Sequence, residues 1–159
     1  MNVLVDILNA SGEPVPAEDD LRLWVTTALH DRTSREQVEV SVRIVDTPEM
    51  AQLNETYRGK KGATNVLSFP ADLPPELELP LLGDIVICAP VVVAEATQQG
   101  KSASAHWAHM TVHGTLHLLG YDHIEEDDAA TMEALETTIL RQLDYSCPYD
   151  IHPQHEYVS

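Results

Sequence analysis

The sequence predicts a single α/β (α+β) domain, with about four strands in a mixed sheet and about five helices. Two strand patterns and a set of helix punctuation marks predict it. Val38, Val40, Val42 and Ile44 alternate with Glu39, Ser41 and Arg43, the period of a strand buried on one face. Gly83 to Cys88 is almost wholly apolar, as a central strand is. Between such runs lie segments of helical spacing, bounded by Pro, Ser and Gly at positions where helices start and stop.

Taken in order, Val3 to Leu8 is a first strand rich in branched residues, and Ser11 to Pro16 is a Gly/Pro loop. Asp19 to His30 is a helix with Leu21, Trp24, Val25 and Leu29 on one face. The alternating strand runs from Val38 to Asp46. Thr47 and Pro48 start a second helix that ends near Arg58, with Gly59 as its stop. Asn65 to Phe69 is a short strand ended by Pro70, and a loop with Pro74, Pro75 and Pro80 follows. After the apolar strand, Pro90 opens a third helix and Gly100 closes it. Ser102 or Ser104 caps a fourth, which continues to about Leu119 and is ended by Gly120. The last helix spans about Glu125 to Leu143, with Met132, Leu135, Ile139 and Leu143 as its buried stripe and an acidic first turn that suits the helix dipole. Residues from about 147 to 159 read as a tail to a domain that otherwise takes in the whole chain.

A chain of 159 residues is long enough to bury a sizeable core. Its longest apolar runs, such as Ile85 to Val93, fall well short of the roughly 20 residues of a membrane helix. The N-terminus has no basic segment ahead of its apolar run, so no signal peptide is expected. Two cysteines, Cys88 in an apolar run and Cys147 in the tail, fit a reducing cytoplasm better than a disulfide framework. The formal charge of −17 argues against a general nucleic-acid binder, because phosphates are repelled at long range.

The chemistry concentrates in His113-Gly-Thr-Leu-His117-Leu-Leu-Gly120-Tyr-Asp-His123. Residues four apart on a helix share a face, so the rings of His113 and His117 can reach one ion. Gly120 lets the chain turn back at positive φ and bring His123 in from another direction. Three ligands and one open corner make a catalytic zinc site rather than a structural one. The expected fold therefore has a central helix carrying an HxxxH pair and a zincin-like site. The same spacing occurs in metzincin proteases, but there a glutamate follows the first histidine as general base. Here that position is Gly114, which puts peptidase chemistry in doubt. His106 and His109, on the same helix, read as partly exposed polar residues near its start, with a supporting role at the metal as the alternative. Asp122 is read equally as a turn residue or as an acceptor orienting a ligand ring.

Arg58, Lys60 and Lys61 put three of the nine basic residues within four positions of an acidic chain. Spacing alone favours a solvated loop. Arg58 can nevertheless make a forked contact to phosphate, with the lysines adding point charge.

The histidine segment resembles the YbeY family of rRNA-maturation endoribonucleases, whose hallmark is HGxLHLxGYDH, met here at every fixed position from His113 to His123. Two further blocks match in order and separation, Asn54-Glu-Thr-Tyr-Arg58-Gly-Lys-Lys-Gly-Ala-Thr64-Asn65-Val-Leu-Ser-Phe-Pro70 and Leu82-Gly-Asp84-Ile-Val-Ile. Asn65 takes the less common alternative to aspartate, and Gly62 and Ala63 stand where many members have Asp or Lys and Pro. The resemblance implies a zinc-dependent, single-strand-specific endoribonuclease that matures the 3′ end of 16S rRNA and takes part in ribosome quality control. It implies one zinc ion on His113, His117 and His123, a functional role for Arg58, RNA as substrate, and the ribosome or its proteins as partners. Two rivals stand beside it: a metal-dependent hydrolase of another class, a peptidase being the obvious one, and a non-enzymatic assembly factor with a structural metal.

Overall fold

The computed structural model describes residues 2–71, 74, 79–121 and 126–145. Strands β1 (Asn2–Asn9), β2 (Gln37–Val45), β3 (Val66–Pro70) and β4 (Leu81–Cys88) form one sheet in the order β1-β2-β4-β3. β1, β2 and β4 run parallel, and β3 lies antiparallel along the outer side of β4. The sheet is thus mixed, and the apolar strand is central as its composition predicts. Helices α1 (Glu18–Leu29), α2 (Thr47–Arg58), α3 (Ala89–Gln99), α4 (Ala103–Leu118) and α5 (Glu126–Gln142) complete the α/β arrangement. No helix among the described residues is long and apolar enough to cross a membrane.

Strand period divides the core between two faces. Val38, Val40, Val42, Ile44, Ile85 and Ile87 point to one side, where they pack with α1, α4 and α5 through Leu21, Trp24, Leu116, Met132 and Ile139. Val45, Leu67, Val86 and Cys88 point to the other, where Met50 and Leu53 of α2 cover them. Burial raises the Cys88 thiol above its ordinary range, so it behaves as a small apolar filler.

α4 is the centre of the domain. It touches α1, α3, α5, β3 and β4, and is buried around most of its circumference. A helix enclosed in this way has little room for side chains where it crosses the sheet. At Gly114 a Cβ would lie 2.8 Å from Ile85 Cγ2 and 3.2 Å from Ser68 Oγ. The Ser68 hydroxyl uses this closeness to donate to the Gly114 carbonyl at 2.9 Å. The position held by glutamate in the metzincin pattern therefore faces the sheet, where side chains of β3 and β4 fill the space a larger residue would need. At the start of α4, Ser102 accepts from Ala105 N and is the cap, while Ser104 bonds the Tyr145 hydroxyl at 2.8 Å. At the end, Gly120 has φ 100°, the positive φ that the turn requires.

Candidate metal centre and basic cleft

His106, His109, His113 and His117 descend one side of α4 at spacings of three and four residues. The first two are buried, at 2 % and 7 % exposure, and not part-exposed as their place near the helix start suggests. The reason is tertiary, since α3 and α5 pack over that part of α4 and each brings a carboxylate. Glu95 of α3 lies 2.9 Å from His106 Nε2 and also accepts from Asn65 Nδ2 at 3.1 Å. Burial alone would raise the Glu95 pKa, but these bonds leave it below the ordinary carboxylate value.

Glu136 of α5 makes the tighter set. Its Oε2 lies 2.8 Å from His109 Nε2 and 2.9 Å from His113 Nδ1, and the residue is 1 % exposed. Burial opposes the charge of Glu136, yet the hydrogen bonds from the two rings hold its carboxyl far below its ordinary value. Burial pushes His109 the other way, below the usual imidazole value. A neutral His109 gives Glu136 a hydrogen bond rather than an ion pair, so the bonds carry the effect. His109, His113 and Glu136 offer three possible ligand atoms within 4.8 Å of one another.

The other nitrogen of His113 faces away from Glu136, and its Nε2 lies 3.1 Å from His117 Nε2. Two nitrogens bound about 2.05 Å from a tetrahedral ion stand about 3.3 Å apart, so this pair suits a shared zinc with little movement. Both rings line a cleft of about 360 Å³, whose walls include Asn54, Arg58, Lys60, Asn65 and Ser68. The third expected ligand, His123, and Asp122 lie outside the described residues, as do Cys147 and the tail.

The basic patch reaches the same cleft through the end of α2. Gly59 takes a left-handed φ of 67° and closes the helix just after Arg58. Asn54, nearly buried within α2, donates to the Gly62 carbonyl at 2.9 Å and so holds the loop that follows. Arg58 is exposed and donates from Nη2 to the Ser68 carbonyl at 3.3 Å. Arg58 and Lys60 line the cleft; Lys61 is exposed and is not among its lining residues. A larger apolar depression of about 760 Å³, between the loop at Glu13–Pro16 and helices α3 and α4, is lined by none of these histidines or basic residues.

Sequence reasoning missed Glu136, Glu95 and Asn54. Glu136 carried a readable signal: it lies four residues after Met132 and three before Ile139, a lone carboxylate inside an apolar stripe. Asn54 stood at the head of the family-like block, but with no role read for it; Glu95 carried no signal, because Asn65 is 30 positions away.

Residues 7–144 match the family described as Endoribonuclease YbeY. The chain belongs to this family. Among its relatives, the Endoribonuclease YbeY of Cellvibrio japonicus is 58% identical over 147 residues, covering 92% of this chain and 82% of the relative. That of Pseudomonas fluorescens is 53% identical over 146 residues, covering 91% and 95%. The solution structure of TM1509 from Thermotoga maritima shares the fold, with a TM-score of 0.61 at 23% identity over 92% of this chain and 99% of that one.

Proposed function

We propose that the protein is a zinc-dependent, single-strand-specific endoribonuclease that hydrolyses RNA phosphodiester bonds in the cytoplasm. In this reading it matures the 3′ end of 16S rRNA and serves ribosome quality control, with the ribosome or its proteins as partners. The observation that carries the chemistry is one cleft holding both the His113–His117 nitrogen pair, 3.1 Å apart, and the cations Arg58 and Lys60. Family membership supports RNA as the substrate. In a chain of −17 charge, a local cationic rim is what would let a polyanion approach.

His113 and His117, with His123, would hold one zinc ion. When bound, zinc supplies Lewis acidity toward a phosphoryl oxygen and a lowered pKa for water. Arg58 binds the scissile phosphate and stabilises the charge that develops on it, since its planar fork matches two phosphate oxygens. Lys60 and Lys61 add attraction for the flanking backbone. Gly114 weighs against the peptidase reading, because the residue that follows His113 in sequence carries no carboxylate and has no room for one.

The test is cleavage of a short single-stranded RNA and its duplex by purified protein, with and without chelator. Chelator-sensitive cleavage of the single strand alone is expected. Cleavage that survives the chelator, or cleavage of casein in place of RNA, would overturn this reading.

A further inference from the structure

We propose that Glu136 is a positioning residue for the metal centre: by accepting hydrogen bonds from both His109 and His113, it fixes the His113 ring with its Nε2 lone pair facing His117. The inference rests on His113 and His117 being ligands, and not on RNA being the substrate.

Burying the Glu136 carboxylate to 1 % exposure, on a helix face otherwise made by Met132, Ile139 and Leu140, is strongly unfavourable unless its oxygens are satisfied. Its Oε2 is satisfied by two ring nitrogens at 2.8 and 2.9 Å, the length of charge-assisted N–H···O bonds. A carboxylate can only accept, so both rings must donate. His113 therefore carries its proton on Nδ1. A neutral imidazole has one N–H, which leaves Nε2 of His113 as the lone-pair nitrogen, the atom 3.1 Å from His117 Nε2. His109 does the same one turn earlier: its Nε2 proton bonds the same Oε2 of Glu136 at 2.8 Å and so helps hold the carboxylate in place.

The arrangement also decides against Glu136 as a ligand in its own right. A shared ion among His109, His113 and Glu136 would need His109 Nε2 and His113 Nδ1 to give up the protons that now bond Glu136. It would also need the 2.8 and 2.9 Å contacts to open to about 3.3 Å, the spacing of ligands on a tetrahedral ion. Outer carboxylates that orient a metal-bound histidine typically change metal affinity about 10- to 100-fold when removed.

Two measurements test this. In the first, long-range nitrogen-15 correlation spectra of the metal-free parent protein at pH 8 read the His113 tautomer directly; an Nδ1–H ring is expected, and an Nε2–H ring overturns the proposal. The second is competition with a chromophoric chelator, applied to Glu136→Gln and to Met132→Ala. Glutamine has nearly the same volume but presents an N–H that favours the wrong tautomer. Zinc affinity should fall about 10- to 100-fold in Glu136→Gln at one ion per chain. It should stay near the parent value in Met132→Ala, which loosens α5 but leaves both hydrogen bonds between Glu136 and the rings in place. Equal loss in both variants would make the effect one of packing and overturn the assignment. So would zinc retained by His117→Ala but lost from Glu136→Gln, which would make Glu136 a ligand. If Glu136→Gln does not fold, the parent tautomer still decides. Absence of RNA cleavage would bear on the substrate alone.

Discussion

On the floor of the cleft, His113 belongs to a helix buried on most sides and is held by Glu136 at 2.9 Å. On its rim, Arg58 makes one 3.3 Å bond to a carbonyl, and Lys60 and Lys61 are exposed. The two parts have different physical tasks. Ligand nitrogens must stand within a few tenths of an ångström of their places, so rotamer freedom is removed before any ion arrives. Phosphate contacts along a flexible strand gain from side chains that can adjust, and Coulomb attraction tolerates the looser geometry. Substitutions on the floor should therefore act all or nothing, and those on the rim by degrees.

The largest expected effect lies on the floor. On the proposed function, His117→Ala removes a ligand and should lower zinc content sharply, with RNA cleavage falling by at least about three orders of magnitude, more than the loss of one transition-state donor. Full occupancy by elemental analysis would remove His117 from the site. Next is Arg58. Arg58→Ala should slow single-turnover cleavage about 30- to 1,000-fold, corresponding to the roughly 2 to 4 kcal/mol of one transition-state donor. Arg58→Lys should recover part of the loss, because it keeps the charge without the fork. Zinc content should stay near parent, and stability should drop by no more than about 1 kcal/mol, the scale of the single hydrogen bond it makes to Ser68. Parent rates in both variants would reduce the rim to a solvated loop.

Gly114 sharpens the comparison from below the floor. A methyl group there meets the buried Ile85 at 2.8 Å. Overpacking of this kind costs about 1 to 3 kcal/mol, against a helix-propensity gain of about 1 kcal/mol. Gly114→Ala should therefore lower stability by up to about 2 kcal/mol in denaturant unfolding. A stabilised variant would show that α4 can lift from the sheet.

Acid should also undo the floor before the rim. The pKa of His109 is lowered from 6.5 and that of Glu136 from 4.5, so in both cases the unfolded chain binds more protons than the folded one. Stability should be full above about pH 6.5 and fall as His109 and then Glu136 are forced to protonate. A stability curve flat from pH 7 to about pH 5 would mean that His109 is not held as described, and one flat on down to about pH 3 would mean the same of Glu136. The smallest effect belongs to the lysines. Lys60→Ala should weaken RNA binding a fewfold at low salt, and Lys61→Ala less, because only Lys60 lines the cleft. Equal losses in a salt titration would extend the rim beyond the cleft.

Most of the element pattern was legible in the sequence, for local reasons. Strand alternation at Val38–Ile44, the apolar run at β4, and stops at Gly59, Gly100 and Gly120 are written in neighbouring residues, because backbone geometry is a local property. The spacing of His113 and His117 is equally local, and a helix brings the two rings together wherever it is packed. What only the tertiary structure decided is the company these residues keep. Glu136 reaches His113 across 23 positions, Glu95 reaches Asn65 across 30, and Ser68 reaches the Gly114 carbonyl across 46. The burial of His106 and His109 was misread for the same reason, since a polar ring near a helix start looks exposed until α3 and α5 close over it with their carboxylates. A periodic pattern tells which face of a helix is buried; the partner that makes a buried polar group tolerable comes from another element, and only packing brings it there.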